Sequence, residues 1–211
     1  LEDVSRISHV FVPLILLAIP AFLVLRQPDL GTTILLVATG VVMLFLAGVR
    51  VWVFVAGAVA TIAAVVPLWK FVLLDYQKQR LLMFIDPEKD PLGAGYHILQ
   101  SKIALGSGGM FGKGFLEGSQ SHLSFLPEKQ TDFIFTMLAE EFGLVGGMAL
   151  IGLYLLLLIY AFAISLRCRS QFGRLVGMGV STSFFLNVFV NIAMVMGVVP
   201  VVGMPLPLIS Y

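Results

Sequence analysis

Five runs of predominantly apolar residues, roughly 9–25, 31–49, 51–74, 143–166 and 175–199, dominate this chain. A helix needs about 20 such residues to cross a hydrocarbon core about 30 Å thick, and these runs reach or approach that length. The chain therefore reads as an all-α, polytopic integral membrane protein, because in lipid every backbone N–H and C=O must be satisfied within the segment. Composition agrees: hydrophobic residues make up 59% and charged residues only 12%, half the charge of an ordinary soluble domain. The first run is the weakest, being short and carrying Pro13 and Pro20. The chain opens at Leu1 without a basic leader and reads as an internal piece of a longer protein.

Charge is concentrated rather than spread. Of 25 Asp, Glu, Lys and Arg residues, 13 fall between Asp75 and Asp132, so that segment reads as a water-facing loop. Arg6, Arg50, Arg167, Arg169 and Arg174 cluster on one side of the expected spans and Arg26 alone on the other. Positive residues near helix ends stay in the cytoplasm, which puts the loop outside. The expected organisation is a single membrane domain: three spans over 1–74, an extracytoplasmic loop over 75–132, two spans over 133–199, and a terminal segment over 200–211. A net charge of +1 gives no sign of a nucleic-acid partner. Cys168 is the sole cysteine, which excludes an intrachain disulfide.

Within the loop, residues 98, 99, 103 and 105 are apolar and Gln100, Ser101 and Lys102 lie between them, as in a short amphipathic helix on a membrane surface. Next comes a stretch with glycines at 106, 108, 109, 112 and 114. It fails as a Walker loop, since Ser107 and Gly114 stand where Gly and Ser or Thr are required, and as a dinucleotide fingerprint, since Phe111 breaks the spacing. A hinge, or a nest of amides for an anion beside Lys102 and Lys113, remains open. Asp132 closes the loop against an apolar helix. It can cap that helix or, partly desolvated, act as a base. If the helix starts by Thr131, Asp132, Thr136 and Glu140 recur every four residues along one face, while Glu141 falls off it. Glu140 is an ionisable group near membrane depth, which marks either function or interhelix pairing. Asn187 and Asn191, also four apart, fit helix packing better than substrate contact.

Several of these stretches occur together in a known pattern. The segment Gln27-Pro28-Asp29-Leu30-Gly31-Thr32, the run DPLGAGYHILQSKIA from Asp90 to Ala104, LPEKQTDFIF from Leu126 to Phe135 with Glu140-Glu141-Phe142-Gly143, and the tail PVVGMPLPLISY from Pro200 to Tyr211 resemble the SEDS family of shape, elongation, division and sporulation proteins. Gly112-Lys113-Gly114 and Ser119-Gln120-Ser121-His122-Leu123 are more similar to its elongation members than to its division members. The family's members have more membrane helices than this chain, so N-terminal helices and a C-terminal one are expected beyond it.

The resemblance implies a peptidoglycan glycosyltransferase that polymerises lipid II onto a nascent glycan strand at the outer face of the bacterial cytoplasmic membrane. The implied partners are a class B penicillin-binding protein and other membrane proteins of the elongation machinery. Asp132 matches the family's essential acid. The chemistry asks for one base for the acceptor hydroxyl and positive charge near the departing diphosphate. Lys129, Lys102, Lys113 and Arg80 are the candidate cations, with Glu140 as a further substrate contact. A divalent cation, Mg or Mn, would help in the same way, and no organic cofactor is required. His97 and His122 lack the acid spacing of a metal site. A lipid II flippase would instead need ionisable residues lining mid-span positions, and a scaffold would leave Asp132 replaceable.

Overall fold

The structure, a computed structural model, describes residues 7–27, 29–71, 78, 94–118 and 131–210. Arg80, Lys129 and His122 lie outside them. Among the described residues every regular element is helical: α1 (Ile7–Leu25), α2 (Leu30–Leu46), α3 (Val51–Phe71), α4 (Ala94–Ser107), α5 (Ile134–Arg167) and α6 (Gln171–Val195). Among the described residues each of the five apolar runs thus carries a helix, and the stretch inside the polar loop forms α4. Helices α5 and α6 are long and apolar enough to cross a bilayer, and α1 to α3 carry the apolar stretches Phe11–Leu25, Leu30–Leu46 and Val51–Ala63. The chain divides into two compact units, Leu1–Leu74 with Tyr160–Leu186, and Asp75–Ile159 with Asn187–Tyr211.

The first unit is built by close helix approach at small residues, the usual means of association where lipid is as apolar as the side chains. Leu17 of α1 covers Gly40 of α2, where a Cβ would lie 2.5 Å from its terminal carbons. Gly179 of α6 abuts Met43 of α2 in the same way. Asp29 caps α2, its carboxylate accepting from the Thr32 amide at 3.0 Å and the Thr32 hydroxyl at 2.6 Å, which gives Asp29 of the sequence motif a local role.

In the second unit, small residues are the buried ones among the described side chains of α4. Ser101 and Ala104 are fully buried, whereas Leu99 and Ile103 are exposed. Small side chains let the α4 backbone come close to its neighbours. The α5 helix is broken at Gly143, whose φ of 69° and ψ of −165° belong to a region open to glycine alone.

Candidate functional site

The second unit is organised around the break in α5. A kink of this kind strips the flanking backbone groups of their helical partners, and the glycine-rich loop after α4 supplies replacements. The amides of Lys113 and Gly114 donate to the carbonyls of Glu140 and Glu141 at 3.0 and 3.1 Å. Beyond the kink, the amides of Leu144 and Val145 donate to the carbonyls of Gly109 and Met110 at 2.9 and 3.1 Å. So close a fit requires missing side chains: a Cβ on Gly143 would lie 2.3 Å from the Gly112 amide nitrogen. The loop is therefore neither a free hinge nor an anion nest. Its amides at 112, 113 and 114 already donate to carbonyls of the protein.

The same contact brings two of the predicted site residues together. Lys113 Nζ donates to Glu140 Oε1 at 2.7 Å. The Glu140 side chain is 1% exposed and that of Lys113 29%, so the carboxylate is withdrawn from water and the ammonium half so. Each neutralises the other, and this partner of Glu140 is a loop lysine rather than a residue of a neighbouring helix. Lys102 lies elsewhere, exposed on α4.

Asp132 sits just before α5, not within it. The Thr136 and Met137 amides both donate to the Phe133 carbonyl, so the hydrogen-bond ladder begins one residue too late to include Asp132. Thr136 and Glu140 face the interior as the four-residue spacing predicts, at 0% and 1% exposure, while Asp132 occupies the preceding turn at intermediate exposure. The Thr136 hydroxyl shares a 2.9 Å hydrogen bond with the Ser101 hydroxyl, which also reaches the Val195 carbonyl at 2.9 Å. This joins α4, α5 and α6 under the acid.

The backbone that α5 leaves unused is taken up from outside. Asn191 Nδ2, fully buried on α6, donates to the Asp132 carbonyl at 2.9 Å and also to the Met204 carbonyl. Ser210 Oγ donates to the Thr131 carbonyl at 2.7 Å and accepts from the Leu206 amide at 2.7 Å. Tyr154 of α5 holds the Pro207 carbonyl at 2.6 Å. The tail is thereby laid across the Asp132 turn, with Gly203 (φ 70°) against the carboxylate. A Cβ there would lie 3.4 Å from Asp132 Oδ2.

These tail contacts escaped the sequence reading. Their acceptors are backbone carbonyls, which no residue type advertises; only the presence of Asn191 in an apolar run signalled a buried polar contact. Among the described residues no three His, Cys, Asp or Glu side chains gather as metal ligands. An apolar pocket of about 460 Å³ lies beside the kink, lined by Phe135, Ala139, Gly143, Met148 and Met196 among others, and it offers no polar side chain for chemistry.

Comparison with known proteins places this arrangement. The model of the cell cycle protein family of FtsW, RodA and SpoVE matches residues 2–211. The peptidoglycan glycosyltransferase MrdB of Escherichia coli strain K12 is 54% identical over 201 residues, which cover 95% of this chain and 54% of that protein. A structure on the coordination of polymerization and crosslinking by a peptidoglycan synthase complex superposes with a TM-score of 0.79 at 32% identity, covering 98% of this chain and 57% of that one. A mutant of the rod shape determining protein RodA of Thermus thermophilus superposes with a TM-score of 0.63 at 28% identity, covering 98% and 51%. The chain spans about half the length of the curated relatives it matches. Its motifs, its membrane helices and its fold make it a member of the SEDS family of FtsW, RodA and SpoVE.

Proposed function

We propose that the protein to which this chain belongs is a peptidoglycan glycosyltransferase that polymerises lipid II during cell elongation, with Asp132 as general base. The observation that carries this reading is the placement of Asp132. It stands in the turn before a membrane-length helix, outside the helical ladder, half-buried, with a side-chain-free residue of the tail against one carboxylate oxygen. The 54% identity to a peptidoglycan glycosyltransferase supports the activity.

The step is a displacement. The Asp132 carboxylate accepts the proton of the acceptor sugar hydroxyl as its oxygen bonds to the anomeric carbon of the donor. The bond from that carbon to the lipid diphosphate breaks, and the diphosphate leaves with the electron pair. Partial burial strengthens a carboxylate as a base by penalising its charged form. Charge on the leaving diphosphate calls for cations. Lys129 stands three residues before Asp132 in sequence, and Lys102 is exposed on α4. Lys113 is the weakest of the candidates, because Glu140 already engages it. Arg80 and a divalent cation, Mg or Mn, on the diphosphate complete the proposed set.

In this reading residues 75–132 face the outside of the bacterial cytoplasmic membrane, where lipid II and the growing strand are presented. The partner is a class B penicillin-binding protein within the elongation machinery, in keeping with the likeness to a chain of a peptidoglycan synthase complex. The test is polymerisation of fluorescent lipid II by the full-length protein with its partner, in detergent and without a membrane gradient. Glycan chains are expected, and Asp132→Asn is expected to slow their formation by about 10²–10⁴-fold. Absence of polymer there, with transfer of lipid II between leaflets of proteoliposomes, favours a flippase instead.

A further inference from the structure

The turn bearing Asp132 is held by its backbone from two directions, and neither hold belongs to α5. Asn191 Nδ2 takes the Asp132 carbonyl and the Met204 carbonyl together. Ser210 Oγ takes the Thr131 carbonyl and receives the Leu206 amide. Both groups couple the turn to the tail, and the tail in turn brings Gly203 to Asp132 Oδ2. A carbonyl just ahead of a helix ordinarily starts the helical ladder. Here the ladder starts at Phe133, and the two preceding carbonyls are held by Asn191 and Ser210 instead.

We infer that Asn191 and Ser210 are positioning residues for the reaction: by clamping the carbonyls of Asp132 and Thr131 to the tail, they fix the Asp132 carboxylate against Gly203. This rests on the reading of Asp132 as the base. Burying a polar side chain inside an apolar helix is costly unless its hydrogen bonds are made, and both Asn191 donor bonds end on this one junction. Gly203 has a matching role. Its left-handed backbone suits a glycine, and the lack of a side chain leaves Oδ2 open on that side.

The experiment measures kcat and KM for lipid II with the full-length protein and its partner, for Asn191→Ala, Ser210→Ala, Ser210→Thr and Gly203→Asn, each alone and with Asp132→Asn. A catalytic group displaced by about 1 Å loses about 10²-fold in rate. Asn191→Ala and Ser210→Ala should therefore lower kcat by about 10- to 100-fold with KM nearly constant. Ser210→Thr keeps the hydroxyl and should restore most of the loss.

In the Asp132→Asn background neither substitution should lower the residual rate further, since groups acting through one another are not additive. Gly203→Asn tolerates a positive φ, so it should fold normally yet slow turnover by crowding Oδ2. Equal losses in both backgrounds, or full activity in Ser210→Ala and Gly203→Asn, overturn the inference. Full activity in Asp132→Asn instead refutes the general base itself. If Asn191→Ala does not fold, Ser210→Ala against Ser210→Thr decides.

Discussion

The pair Lys113–Glu140 allows a quantitative prediction. Replacing Lys113 by Met removes the ammonium at 2.7 Å from Glu140 Oε1 and leaves a carboxylate that is 1% exposed beside an apolar side chain. Breaking a buried ion pair by removing one partner costs about 3–5 kcal/mol, because the remaining charge stays out of water. The Lys113 side chain keeps 29% exposure and Glu140 has a further contact, so the low end, about 3 kcal/mol, is the upper limit. The reverse change costs less. Glu140→Gln leaves an ammonium that can turn to solvent, for about 1 kcal/mol. The double variant should then resemble Glu140→Gln alone.

A protein of the length of the curated relatives is about twice as long as this chain. Since the temperature shift per kcal/mol falls with size, Lys113→Met should lower the apparent melting temperature by about 3–6 °C. The assay is intrinsic-tryptophan thermal scanning in detergent at one scan rate. A Lys113→Met protein melting with the wild type, or a double variant no more stable than Lys113→Met, would show that Glu140 does not depend on this lysine for its charge.

Further expectations follow from the same geometry. Asp132→Asn should lower polymerisation by about 10²–10⁴-fold, the usual worth of a general base, with a melting temperature near wild type. Gly143→Ala should destabilise strongly, because its Cβ would lie 2.3 Å from the Gly112 nitrogen and its backbone conformation alone costs an alanine about 1–3 kcal/mol; a soluble-expression and melting comparison checks it. Lys129→Ala and Lys102→Ala should reduce kcat at saturating lipid II, measured by single-turnover polymerisation. Single cysteines at Ser119 and Ser170, with Cys168→Ser, should respectively label and fail to label with an impermeant thiol reagent on spheroplasts. The opposite pattern would place residues 75–132 in the cytoplasm.

Much of the fold was written in the order of residue types. Length and apolarity of the five runs require helices because lipid offers no partner for an open backbone, and each carries one among the described residues. Asp29 at the head of α2 caps it through a contact only three residues long, which sequence can specify. The likeness of the LPEKQTDFIF and PVVGMPLPLISY segments to one family was also legible, and the match over residues 2–211 agrees.

Other features required the folded chain. Sequence spacing assigned Glu140 to a stripe with Asp132, yet its partner is Lys113, 27 residues back, brought in by a loop whose glycines read as flexibility. Those glycines instead permit a backbone contact, since a kink at Gly143 exposes carbonyls and amides that only another backbone at close range can satisfy. The start of α5 moved past Asp132 for a similar reason: carbonyls 131 and 132 have better partners in Ser210 and Asn191 than in the next helical turn. The sequence by itself determined which segments are helices and which acid stands at their border. Tertiary structure decided how its turn is held, because the bonds from Asn191 and Ser210 end on main-chain atoms common to every residue.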